Sequence, residues 1–138
     1  MVERRIGNAL GNLGVAHSAL GERRQAIGFH DQTLVIVREI GDRRGEGSVL
    51  GNLGNDYADL GDARKAIGFY EQQMDIAREI GDRRGEGNAL WNSALALNQL
   101  GDLAEAVARA EAALKIYEEI EDPNAAQVRA KLAKWRGE

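Results

Sequence analysis

Arg38-Glu39-Ile40-Gly41-Asp42-Arg43-Arg44-Gly45-Glu46-Gly47 returns letter for letter as Arg78-Glu79-Ile80-Gly81-Asp82-Arg83-Arg84-Gly85-Glu86-Gly87, a shift of 40. Self-similarity at a fixed period of this length marks an array in which each unit stacks on the next. At that period residues 7–46 match 47–86 at 24 of 40 positions and 47–86 match 87–126 at 12, so the third copy has diverged. The chain reads as one domain, 1–138, with repeat 1 at 7–46, repeat 2 at 47–86, repeat 3 at 87–126 and a short tail.

Inside a unit, Leu50, Leu53, Gly54, Tyr57 and Leu60 fall at helical spacing, as do Leu10, Leu13, Gly14, His17 and Leu20 one unit earlier. Gly61-Asp62 then supplies a stop and a cap, repeated at Gly21-Glu22 and Gly101-Asp102, the last followed by Glu105 in capping-box spacing. A second helix with Ala66, Ile67, Tyr70, Met74 and Ala77 on its apolar face runs to Ile80-Gly81. Each unit is thus helix, turn, helix. Gly21, Gly41, Gly61, Gly81 and Gly101 are placed to end helices, whereas Gly14, Gly28, Gly54 and Gly68 lie inside them and predict close helix crossing, since interior glycine costs about 0.5–1 kcal/mol against alanine. Asp122-Pro123 opens a seventh helix, about 123–136, with Asp122 as cap and Pro123 at the first helical position. Its stripe of Val128, Leu132 and Trp135, backed by Arg129, Lys131, Lys134 and Arg136, is the profile of a helix closing an array.

Composition narrows the function. Net charge −4 disfavours nucleic acid and anionic membranes as partners. The absence of cysteine excludes disulfides and thiolate chemistry and suits the cytoplasm, and no stretch is apolar enough for a signal peptide or a membrane span. No metal-binding, phosphate-binding or nucleophile motif occurs, so no catalytic residue, metal or cofactor is expected. The two histidines, His17 and His30, stand where the next unit has Tyr57 and Tyr70, and both are expected in the core.

Asn52-Leu53-Gly54-Asn55-Asp56-Tyr57, Leu60-Gly61-Asp62 and Ala66-Ile67-Gly68-Phe69-Tyr70 together resemble the tetratricopeptide repeat signature. The resemblance runs from residue 7 to about 121. Its 40-residue unit exceeds the common 34, and the arginine-rich ten-residue segment replaces the usual proline-containing link, as in the longer variant found in kinesin light chain, spindle-orientation adaptors and many bacterial regulators. The fold this implies is all-α: a right-handed α-solenoid of three antiparallel helix-turn-helix repeats plus a C-terminal capping helix, seven helices in all. The function it implies is non-catalytic protein binding, with a peptide segment of a partner held in the groove lined by the first helix of each repeat.

At about 100° per residue, Asn8 and Asn12 share one side of the first helix, opposite the leucine stripe. Their successors are Ser48, Asn52, Asn55 and Asp59, then Asn88, Asn92 and Gln99, with Trp91 bordering the same face. Side-chain amides offer both donors and an acceptor to an extended peptide backbone. They also suit solvent, or backbone bonds that hold repeats in register, and Trp91 suits packing as well as anchoring. Carboxylate-clamp relatives place lysine or arginine here. At Gly11, Gly51, Trp91, Val15, Asn55 and Leu95 only Asn55 fits that scheme, which argues against chaperone tails. Arg43, Arg44, Arg83 and Arg84 form a second column at the helix-pair junctions. It fits an acidic partner, or local pairing of Arg43 with Glu39 and Arg83 with Glu79. A second expectation is self-association, because the uncapped first helix presents Ile6, Ala9, Leu10 and Leu13 to a second copy of the chain.

Overall fold

In the computed structural model, which describes residues 2–138 and leaves Met1 outside, the order is α1 (Val2–Ala19), α2 (Arg23–Glu39), α3 (Arg43–Asp59), α4 (Ala63–Ile80), α5 (Arg83–Gln99), α6 (Leu103–Glu119) and α7 (Asn124–Trp135). Aspartates start α3 to α6 and left-handed glycines follow α1 to α5, whereas Glu22, expected to cap α2, accepts no cap hydrogen bond and Glu121 takes the positive-φ place after α6. The carboxylates of Asp42, Asp62, Asp82 and Asp102 accept from the backbone N–H three residues on, satisfying a donor that a helix N-terminus leaves unpaired. Gly21, Gly41, Gly61, Gly81 and Gly101 all have φ between +71° and +86°, a conformation glycine adopts without steric cost. No strand occurs among the described residues.

Each helix packs on its sequence neighbours, and α3 also touches α1 and α5, so the pairs pile up in chain order. One buried cluster joins α2, α3 and α4 through Leu34, Val37, Leu50, Leu53 and Ile76. A second joins the later helices through Leu90, Trp91, Ala94, Tyr117, Val128 and Leu132.

Several sequence expectations need correction. The arginine pairs stand in no link: Asp42 and Asp82 are caps, and Arg43-Arg44 and Arg83-Arg84 open α3 and α5. Pro123 occupies the cap position, so α7 begins one residue later, although Asp122 still accepts from the Asn124 N–H at 2.8 Å. The box at Asp102 is half formed, because Glu105 pairs with Arg109 instead of reaching back. His17 is not core: it is partly exposed, stacks on Phe29 and pairs with Glu22. Nor do the four interior glycines share one cause. A Cβ on Gly14 or Gly54 would lie 2.5 Å from the ring of His30 or Tyr70, whereas at Gly28 and Gly68 it would meet nothing within 4 Å. Close crossing explains the first two only. The last correction concerns α1, whose Leu13 is 45% exposed, while Leu53 at the same repeat position is 0%; Leu20 and its counterpart Leu60 are both exposed. Only α3 and α5 have a preceding second helix to cover that face.

Candidate functional site

First helices lie side by side, with the second helix of each pair behind them, so every junction leaves a trough. Between α1 and α3, floored by α2, is a cavity of about 370 Å³ lined by Asn8, Asn12, Val37, Ser48, Val49 and Asn52 among others. Forty residues on, α3, α4 and α5 enclose a counterpart of about 360 Å³ with Ser48, Asn88, Gln73, Ala77, Arg44 and Arg84 on its walls. Ser48 lines both.

The amides divide by what they bond. Asn8, Asn12, Asn52 and Asn92 make no side-chain hydrogen bond among the described residues, so none of them ties neighbouring repeats together. Asn55 and Asn88, by contrast, accept from the hydroxyls of Tyr70 (2.7 Å) and Tyr117 (2.6 Å). Burial pushes the Tyr117 phenol up to about 12 and raises Tyr70 as well, so both donate as neutral hydroxyls. Asp59 is held by Arg23 at 3.0 Å, away from both cavities. Gln99 is exposed near the end of α5. Trp91 is 6% exposed and packs against Trp135 of α7, 6.0 Å between ring centroids. Its ring fills the C-terminal core.

Neither column of arginines is idle. Arg38 and Arg43 both bond Glu46 (3.0 and 2.8 Å), and Arg43 extends to Glu79 at the end of α4, the second helix of its own pair. The set repeats as Arg78, Arg83, Glu86 and Glu119. Arg43 and Arg83 thus join the two helices of their own pairs, through Glu79 and Glu119, and do not pair back to Glu39 and Glu79 as spacing predicts. Burial alone would raise the Glu46 carboxyl; hydrogen bonds from Arg38 and Arg43 outweigh it and hold the group below its ordinary range. Inside the trough Arg4 pairs with Asp42 at 3.2 Å, Arg44 lies 3.9 Å from Asp82 and Arg84 pairs with Asp122 at 2.9 Å. An acidic ligand would compete with Asp42 and Asp122 for Arg4 and Arg84, whereas Arg44 makes no hydrogen bond to Asp82.

Beneath the first cavity lies a polar cluster that the repeat pattern does not announce. His30 and Asp56 are each 1% exposed with His30 Nε2 3.6 Å from Asp56 Oδ2, and Ser18 donates to Asp56 Oδ1 at 2.6 Å. Arg23 approaches the same oxygen at 3.6 Å. Neither ring nitrogen of His30 has a hydrogen-bond partner. Burial lowers its pKa below the ordinary 6.5, outweighing the carboxylates of Asp56 and Asp31, so the buried ring is neutral. As pH falls below that ordinary value the unfolded chain takes up the proton first, and stability present at neutral pH is lost on the way to the folded value. We expect the melting temperature to drop between about pH 7 and 5 and His30→Phe to flatten that drop. An equally steep profile in the variant would show that another group governs it.

The residues that sequence reasoning missed are His30 as a trough-lining group, Gln73 and Val37. All three belong to second helices, whereas the groove was sought on first helices alone. The signal was present, since 37, 77 and 117 carry Val, Ala and Tyr in otherwise similar frames.

No curated protein matches the chain in sequence. Among solved structures, the TPR domain of Arabidopsis FLU superposes with a TM-score of 0.81 at 19% identity over 85% of this chain and 98% of that one. The N-terminal domain of stress-induced protein-1 from C. elegans gives 0.80 at 17%, over 99% and 98%. Kinesin light chain-like repeats from Podosopora anserina give 0.77 at 18%, over 93% and 64%. At these identities the likeness is one of fold. No helix among the described residues is long and apolar enough to cross a membrane. The family pattern for the tetratricopeptide repeat matches residues 5–79 and again 45–119, so the chain belongs to the tetratricopeptide repeat family.

Proposed function

We propose that this chain is a non-catalytic module that binds an extended peptide segment of a partner protein along the trough between its first helices. Repeats of this family generally mediate contacts between proteins. The observation that carries the reading is the row of amides, Asn8, Asn12, Asn52 and Asn92, which stand without internal side-chain partners. A peptide backbone presents alternating donors and acceptors, and an amide side chain matches either without selecting the ligand's side chains. Because the trough arginines already have acidic partners, the reading favours an uncharged segment over an acidic one.

The test is an Asn12, Asn52, Asn92 to Ala triple variant, compared with the parent in pull-down and in binding to peptides selected on the parent. Each lost hydrogen bond is worth about 0.5–1.5 kcal/mol, so together they should weaken binding by at least about tenfold. The melting temperature should stay near the parent's, since no internal bond is removed. A folded variant that keeps every ligand at parental affinity would refute the assignment.

A further inference from the structure

Val37, Ala77 and Tyr117 occupy the same position in successive units, and only the third is a ring. Tyr117 is 1% exposed and lies over Gly87, where a Cβ would stand 3.0 Å from its ring, and its hydroxyl donates to Asn88 Oδ1 at 2.6 Å. The first unit keeps the same frame without the ring. Gly7 replaces Gly87, with Ile36 Cγ2 the nearest atom, at 3.1 Å, to a Cβ built there; Asn8 replaces Asn88, exposed and unbonded; Val37 leaves the span between them open as part of the cavity of about 370 Å³. Below it His30, 1% exposed, lines the same cavity with both ring nitrogens unpartnered.

From this we infer that the first-unit cavity receives an aromatic side chain of the bound peptide, tyrosine in preference to phenylalanine, as the third unit receives its own Tyr117. The inference rests on the peptide reading above and names the residue that sets specificity. Ile36, Val37, Ile40 and Val49 supply the apolar walls. The Asn8 amide supplies the acceptor that Asn88 supplies to Tyr117. The one carboxylate on the lining, Asp42, is engaged by Arg4 at 3.2 Å and by the Gly45 N–H at 2.9 Å, so nothing repels the π-face of a ring. Aromatic side chains bury large area at low entropic cost and recur as anchors in binding sites. The second unit departs from the frame, with Ser48 in place of Asn8 and the Gln73 amide lying over Gly51, so the assignment is confined to the first.

The probe is a randomised library of short peptides selected on the full chain. Selected peptides should share one aromatic position. Val37→Tyr, which places an internal ring beside Asn8 as Tyr117 lies beside Asn88, should bind these peptides at least about tenfold more weakly. Asn8→Ala, on an exposed side chain, should abolish the preference for tyrosine over phenylalanine while leaving phenylalanine peptides bound. The inference falls if the peptides lack an aromatic position, if folded Val37→Tyr binds within about twofold of the parent, or if Asn8→Ala retains the tyrosine preference. Should Val37→Tyr misfold, Asn8→Ala decides alone. When any of these occurs and the asparagine triple variant still weakens binding, the cavity assignment fails and the trough stands. Peptides indifferent to the triple variant too, or no selected peptide at all, overturn both.

Discussion

Leu53→Ala should cost about 2–5 kcal/mol of stability and Leu13→Ala no more than about 0.5, although the two leucines hold the same repeat position. Leu53 is 0% exposed among Leu34, Val37, Leu50 and Ile76, so truncation removes buried methyl groups and leaves a cavity that two helix layers prevent from collapsing. Leu13 is 45% exposed on α1, the first helix among the described residues. For a chain of this size each kcal/mol moves the melting temperature by roughly 3 °C, so the first substitution should lower it by around 6 °C or more. Thermal unfolding followed by circular dichroism checks both variants under one condition. Equal losses would mean that the outer face of α1 is covered in solution.

That pair also shows what the sequence conveyed and what it could not. Period, helix count and glycine stops were legible, as were the caps at Asp42, Asp62, Asp82 and Asp102, because each rests on local chemistry repeated at fixed offsets; Glu22 and Asp122-Pro123 depart from it. Burial was not legible, since it depends on neighbours that the local pattern does not contain. Leu10 and Leu13 read like Leu50 and Leu53, yet among the described residues α1 has no second helix packed on that face as α3 and α5 have. The arginines expected at the helix-pair junctions are themselves helical, because Asp42 captures the Gly45 N–H and α3 starts there.

The trough was half legible for a related reason. Helical spacing groups Asn8, Asn12, Ser48 and Asn52, and all four line the first cavity. It could not say which amides are spent internally, because Asn55 and Asn88 are claimed by tyrosines 15 and 29 residues away on other helices. Trp91 illustrates the same limit, since its partner Trp135 belongs to the tail helix outside the repeat frame.

Glycine and ring at the α3–α4 crossing should prove one structural unit when tested as a double-mutant cycle. A Cβ on Gly54 would stand 2.5 Å from Tyr70 Cε1 and 2.7 Å from Cδ1, and the ring cannot easily yield, being 2% exposed and tethered through its hydroxyl to Asn55. Gly54→Ala alone is therefore expected to cost about 1–3 kcal/mol through overpacking, despite the roughly 1 kcal/mol that alanine gains in a helix. Tyr70→Ala alone should cost about 3–5 kcal/mol, from lost burial, an emptied crossing and a lost hydrogen bond. Combined, they copy the third unit, where Ala94 and Ala110 occupy these two positions and both are fully buried in one cluster. With the ring gone the new methyl group meets open space, so Gly54→Ala should become neutral or stabilising in the Tyr70→Ala background, a coupling of about 1–3 kcal/mol. Denaturant unfolding of the four proteins measures it. If Gly54→Ala costs the same in both backgrounds, its penalty arises within α3 and the paired change from Gly54 and Tyr70 to Ala94 and Ala110 has no packing cause.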